Sequence, residues 1–150
     1  MGSLSETATL DKWPRRYLEM ARHVSDWSKD PSTKVGAVLV SPDGGTITPG
    51  YNGFPRRVID DPARLHDRET KLAMTLHAEE NAILNLPVRP EGYTLYVWPM
   101  PPCSHCAAMV IQSGIIKVVA PEPGDRWAQS CRLGRMMMWE AGLEVEWINL

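Results

Sequence analysis

The sequence predicts an α/β protein, a three-layer α-β-α sandwich around a mixed five-stranded sheet, built as one domain over residues 13–150. Three observations lead there. Five short apolar runs rich in β-branched residues are present, and the last three are separated by segments of helical length. The turn signal Pro42-Asp43-Gly44-Gly45 joins the first two runs as an antiparallel hairpin. Strands joined through helices become parallel neighbours by right-handed crossovers, which places helices over the sheet faces.

Taken in order, residues 1–12 are polar and small, with no charged start leading into an apolar stretch, so a loose tail and no signal peptide are expected. Pro14 suits the first turn of a helix reaching about Trp27, with Tyr17, Met20, Ala21, Val24 and Trp27 spaced for one buried face. Lys34–Val40 reads as a buried strand and Thr46–Tyr51 as its hairpin partner. Asn52–Asp67 lacks periodicity and reads as a long loop, the kind that often carries function. A helix follows from about Ala78 to Leu86, ended by Pro87 and Pro90, then a strand over Tyr93–Trp98 broken by Pro99, Pro101 and Pro102. The remainder alternates: a helix from near Ser104 to Gly114, a strand over Ile115–Ala120, a helix over Arg126–Ala141 capped by Gly142, and a strand over Leu143–Ile148. Met136-Met137-Met138-Trp139 is expected to pack in the core, Cys131 to be a buried small hydrophobe, and His23 and His66 to lie at the surface.

Charge narrows the function classes. The formal net charge is −2 and no basic run exceeds two residues, as at Arg56-Arg57. That balance argues against nucleic acid as a partner and leaves room for a small anionic ligand needing one or two local cations. No apolar run approaches the ~18 residues of a membrane span. Three cysteines, two of them as Cys103-x-x-Cys106, read as metal chemistry in a reducing compartment, and a cytoplasmic location is expected.

The chemistry is concentrated in His77-Ala78-Glu79 and Pro102-Cys103-Ser104-His105-Cys106. Catalytic zinc is held by three N or S ligands with a fourth position left to water, and His77, Cys103 and Cys106 supply the three. Cys103 and Cys106 stand at i and i+3 on the opening turn of a helix, whose N-terminal potential favours thiolates. Two thiolates offset the charge of the ion and weaken it as an acid, so a base beside the activated water is needed. Glu79 fills that place as a proton shuttle rather than a ligand. On a regular helix, residues 77 and 79 would diverge; an irregular helix start lets both approach one point. A structural zinc is ordinarily closed by a fourth side chain. His105, between the cysteines, and the distant Cys131 are poor sources of one.

With those residues in place, the chain resembles the cytidine and deoxycytidylate deaminase superfamily, whose H-x-E…P-C-x-x-C signature it carries. The resemblance runs from about Tyr17 to Val145 and is strongest to the deoxycytidylate (dCMP) deaminases. It includes Ser28-Lys29-Asp30-Pro31-Ser32-Thr33-Lys34-Val35-Gly36-Ala37, Gly50-Tyr51-Asn52-Gly53-Phe54-Pro55, His77-Ala78-Glu79-Glu80-Asn81-Ala82-Ile83 and Gln112-Ser113-Gly114-Ile115. It implies hydrolytic deamination of dCMP to dUMP and ammonia with one Zn²⁺ per chain. Asn52 would bond the sugar or base, the backbone of Ala78 and of the Pro102-Cys103 turn would read the pyrimidine edge, and Asn81 is a further candidate for that pocket. Lys29, Arg56, Arg57 and Arg126 are candidate cations for phosphate or effector. Trp127 stands in the loop where family members carry a lid tyrosine. The resemblance further implies a homo-oligomer, with a hexamer favoured, and control by dCTP and dTTP near the Gly50–Pro55 loop, Mg²⁺ entering only with those triphosphates. Trp98-Pro99-Met100 is an unusual filling beside the base pocket and leaves preference at the pyrimidine C5 position open. Competing readings are a sibling deaminase acting on a modified cytosine nucleotide, a free nucleoside, guanine or tRNA adenosine, and a non-catalytic zinc module; the retained Glu79 argues against the last.

Overall fold

The computed structural model describes residues 3–150, with side chains from Lys12 onward. Its elements are α1 (Ser3–Ser25), β1 (Gly36–Val40), β2 (Ile47–Tyr51), α2 (Pro62–Leu65), α3 (Arg68–Met74), α4 (Ala78–Leu84), β3 (Thr94–Trp98), α5 (Ser104–Ser113), β4 (Lys117–Ala120), α6 (Asp125–Glu140) and β5 (Glu144–Trp147). One five-stranded sheet has the order β2-β1-β3-β4-β5. β1 runs antiparallel to both β2 and β3, whereas β3, β4 and β5 are mutually parallel. This is the mixed sheet expected from the sequence, with α5 and α6 as the crossovers.

Alternation along β1 sets the layers. Ala37 and Leu39 face one side and pack with Ala78, Ala82, Ala107, Val110 and Met138 from α4, α5 and α6. Val38 and Val40 face the other and pack with Leu18, Ala21 and Val24 of α1. Successive strand side chains point to opposite faces, so one five-residue strand, buried throughout, anchors both cores of the sandwich. Close approach of backbone is built in at Gly50, where an added Cβ would meet Ala82 N at 2.3 Å and Ala78 O at 2.6 Å. That contact presses β2 against the start of α4, next to the first metal-ligand candidate.

Five local expectations differ from the structure. The backbone is helical from Ser3 where an irregular segment was foreseen over 1–12, while Met1 and Gly2 lie outside the described residues. Pro14 sits inside α1 rather than in its first turn; no glycine or second proline interrupts Ser3–Trp13, so helix propagates on both sides of the one missing N–H. The buried face of α1 is set by Leu18, Ala21, Val24 and Ser25, leaving Met20 and Trp27 exposed, a rotation by about one residue about the helix axis. The segment expected to be all loop contains α2, capped by Asp61, whose carboxylate accepts the Ala63 N–H, with Pro62 at the first helical position. In α6, Met138 is fully buried but Met136 and Trp139 are exposed, because consecutive helical residues point about 100° apart and cannot share one buried stripe. His23 and His66 are exposed and Cys131 is buried, as expected.

Candidate active site

Two helix starts converge. His77 is the N-cap of α4 and Cys103 the N-cap of α5, both with extended backbone (ψ of 157° and 173°). Cys106 follows three residues into α5 and is fully buried. His77 Nδ1 lies 3.0 Å from Cys106 Sγ and 3.7 Å from Cys103 Sγ, and the three donor atoms fall within 4.8 Å of one another. The His77 N–H donates to Glu80 Oε1 at 2.9 Å, which fixes the histidine at the junction. His105 points outward, 76% exposed, with Nε2 3.9 Å from Glu80 Oε2. Among the described residues, no fourth His, Cys, Asp or Glu joins the three.

The donor set fits zinc. One imidazole and two thiols on one point match the N and S preference and three-ligand count of a catalytic zinc. The hydrogen bond with Cys106 holds the Cys103 thiol at about 3, with His77 adding to it against burial. The hydrogen bond with Cys103 raises His77 to about 9, and the same thiol pair pushes Cys106 up. Because thiolate and neutral imidazole are the ligating forms, binding of a cation by all three would be coupled to proton release.

Glu79 shares the cavity wall with His77 and Cys103. Because His77 is an extended cap rather than a helical residue, the divergence expected for i and i+2 on a helix does not arise. The carboxyl is 4% exposed, and burial pushes it up to about 7. A carboxyl that carries and gives up a proton near neutrality suits general acid–base work.

The cavity has a volume of about 300 Å³ and also takes in Asn52, Ala78, Met100 and Pro101. Asn52 is anchored: Oδ1 accepts the Val35 N–H at 2.9 Å and Nδ2 donates to Thr33 O at 2.9 Å. Each end of its amide keeps capacity for one more bond toward the cavity. Pro102 is buried behind the wall, its carbonyl turned toward Gly134 of α6. Asn81 lies elsewhere. Its Nδ2 donates to Tyr51 O at 2.7 Å, and it lines a separate cavity of about 390 Å³ together with Tyr51, Phe54 and Arg56. Trp127 is half-buried beside the Arg126 guanidinium, 5.0 Å from its ring centre, and is not on the cavity wall.

The candidate cations separate in the same way. Lys29 pairs with Asp60 at 2.7 Å, Arg56 donates to Asn85 Oδ1 at 3.0 Å, and Arg57 is exposed with φ of 69°. None of the three lines the cavity that holds Glu79. Arg126 reaches its rim, donating from Nη2 to Thr33 Oγ1 at 3.0 Å, and Thr33 is a wall residue. Sequence reasoning missed the cations of α3. Arg68 and Lys71 are on the wall, and Lys71 is buried against Asp30 at 3.0 Å. Arg68, Lys71, Leu72 and Thr75 follow one helical face at i, i+3, i+4 and i+7, and all four line the cavity, but the spacing alone does not tell that face from a solvated one.

Comparison with known proteins agrees with this arrangement. Residues 11–122 match the family described as the cytidine and deoxycytidylate deaminase zinc-binding region. The uncharacterized deaminase in the luxG 3′ region of Aliivibrio fischeri is 43% identical over 145 residues, covering 94% of this chain and 97% of that protein. The deoxycytidylate deaminase of Mus musculus is 37% identical over 138 residues, 88% of this chain and 77% of the mouse protein. Among solved structures, the dCMP deaminase of cyanophage S-TIM5 in complex with dCMP and dUMP superposes with a TM-score of 0.75 at 27% identity, covering 91% of this chain and 97% of the phage enzyme. The cap-borne His77, the Cys103–Cys106 turn and the buried Glu79 all lie within the matched region, and the chain belongs to the cytidine and deoxycytidylate deaminase family.

Proposed function

We propose that this chain is a dCMP deaminase that converts dCMP and water to dUMP and ammonia, with one Zn²⁺ held by His77, Cys103 and Cys106. The observation that carries the reading is a single cavity lined by the metal-ligand candidates His77 and Cys103 and the buried Glu79 and also by the cationic Arg68, with Arg126 bonded to its wall residue Thr33. Bound zinc lowers the pKa of water toward neutrality and so supplies the nucleophile. The Glu79 carboxylate would take one proton from the attacking water to the ring nitrogen beside the amine-bearing carbon, and would later move the proton of the hydroxyl added to that carbon onto the departing amine, which leaves as ammonia. Burial, which holds Glu79 near neutrality, keeps both halves of that cycle accessible at one pH.

Asn52, fixed by two backbone partners, presents its remaining donor and acceptor to base or sugar, and the Ala78 backbone lies against the ring edge. Arg126 and Arg68 hold the phosphate. Met100, in the wall beside the base, bears on the C5 position. Assembly into a homo-oligomer and control by dCTP and dTTP belong to the same reading, with the cavity along Tyr51, Phe54 and Arg56 as the effector side.

Turnover of dCMP, deoxycytidine, guanine and 5-substituted dCMP tests the substrate. dCMP is expected to exceed deoxycytidine clearly, and equal rates on the two remove the phosphate assignment. Glu79→Ala is expected to lose ammonia release by about 10²–10⁴-fold while keeping zinc content and the thermal transition; retained activity defeats the mechanism.

A further inference from the structure

Deep in the cavity wall, a lysine and an aspartate are buried together without being metal ligands or proton carriers. The Lys71 side chain on α3 is 5% exposed and its Nζ lies 3.0 Å from Asp30 Oδ1. The same carboxylate oxygen accepts the backbone N–H groups of Ser32 at 2.8 Å and Thr33 at 3.0 Å. Thr33 in turn is held at its carbonyl by Asn52 Nδ2, and its hydroxyl accepts from Arg126 Nη2 at 3.0 Å. Ser32 and Thr33 form part of the cavity wall. The rim is therefore gripped from three sides: from α3 through Lys71 and Asp30, from the end of β2 through Asn52, and from α6 through Arg126.

A buried ion pair gives little net stability compared with apolar residues of similar shape, because desolvation offsets most of the attraction. Its directional bonds nevertheless fix where a loop lies. We propose that the Lys71–Asp30 pair is the positioning element of the outer end of the cavity: it sets the Ser32–Thr33 rim, and through the Thr33 hydroxyl it sets the guanidinium of Arg126 that receives the substrate's anionic group. This rests on the nucleotide reading given above. Lys71 and Asp30 are positioning residues, acting through Thr33 and Arg126.

The test is the double variant Lys71→Met/Asp30→Asn, which leaves no unpaired buried charge and keeps an oxygen at residue 30 to accept the Ser32 and Thr33 N–H groups. It lacks only the tether from α3. Kinetics on dCMP and on deoxycytidine are measured with zinc content and thermal transition in parallel. The expected result is a rise of about tenfold in KM for dCMP, the equivalent of one displaced charge-assisted hydrogen bond, with a smaller fall in kcat, full zinc content, and a reduced preference for dCMP over deoxycytidine. Thr33→Val, which keeps the ion pair and removes only the hydroxyl, is expected to raise KM in the same direction. Combined with the double variant it should add little, since both act on one chain of contacts.

A double variant with wild-type KM and kcat overturns the proposal, as does one that loses zinc and activity on both substrates together, which would make the pair a general structural support. Should the double variant fail to fold, Thr33→Val with an unchanged KM overturns it alone. Wild-type protein with no preference for dCMP brings down the nucleotide reading and this proposal together, whereas a wild-type preference that survives the variants brings down only the positioning role.

Discussion

Adding one methyl group to α6 should damage the metal site from the back. Gly134 packs against the turn that delivers Cys103: a Cβ there would lie 2.7 Å from Pro102 O and 3.1 Å from the carbonyl carbon and oxygen of Cys103. Ordinary contact begins at 3.4 Å, so the gap to the Pro102 oxygen is short by about 0.7 Å. The obstructing atoms are backbone and cannot rotate aside. One turn earlier, the Cys131 thiol donates to Pro101 O at 3.3 Å and ties the same helix to the same turn. Gly134→Ala must therefore push α6 outward or move the Pro102-Cys103 turn. Overpacking of this kind costs about 1–3 kcal/mol, a fall in Tm of roughly 4–8 °C at the middle of that range for a chain of this length. A ligand displaced by part of an ångström should also lower kcat by about 10–100-fold. Differential scanning fluorimetry, turnover of dCMP and the half-time of zinc transfer to a chromophoric chelator read the three effects. Gly124→Ala is the matched control, since a Cβ at Gly124 meets nothing within 4 Å. If Gly134→Ala melts, turns over and releases zinc as the wild type does, α6 does not brace the site.

Further expectations follow from the same geometry. Arg126→Ala and Arg68→Ala should each raise KM for dCMP by about tenfold with no change for deoxycytidine, and an equal loss on both substrates would take the phosphate away from these residues. Chelation should abolish activity, lower Tm and be reversed by added Zn²⁺ with measurable proton release; activity persisting at zero bound metal would exclude the zinc reading. Burial alone would raise Asp30, but the N–H groups of Thr33 and Ser32 and the Lys71 ammonium outweigh it and hold the carboxyl below its ordinary value. A depressed carboxyl contributes stability above its unfolded pKa of about 3.9 that is lost as pH falls through the lower folded value. In urea unfolding, the stability gap between wild type and Asp30→Asn should therefore be constant near neutrality and narrow below about pH 4, and a gap that does not narrow contradicts the assignment. dCMP saturation is expected to be sigmoidal and to become hyperbolic with dCTP, whereas curves indifferent to dCTP and dTTP dismiss effector control.

Spacing made the inner end of the site legible in the sequence, and it left the outer end hidden. His77, Glu79, Cys103 and Cys106 are fixed by two short motifs whose partners are local, each motif sitting at the start of a helix that proline or loop residues announce. The antiparallel hairpin and the parallel run of the last three strands were legible too, from the turn signal and the two crossover helices, whereas the pairing of β1 with β3 had no local mark. Lys71 was not legible, since its role depends on Asp30, 41 residues earlier, and a buried lysine has no sequence mark distinguishing it from a solvated one. Asn81 was misplaced for the opposite reason. It lies two residues from Glu79, but N2 and N4 of a helix face different sides, so its amide meets Tyr51 across β2 instead of the cavity.

Asn52 precedes Gly53, a dipeptide prone to slow spontaneous deamidation when the glycine nitrogen can fold back onto the side-chain carbonyl carbon. Here the Gly53 N–H is committed to Leu76 O at 3.1 Å, and the Asn52 amide is clamped at both ends by Val35 and Thr33. Cyclisation to a succinimide would have to break all three bonds at once. The fold thus shields this residue from chemical ageing, and conversion to aspartate should report transient opening of the loop long before the protein loses its shape.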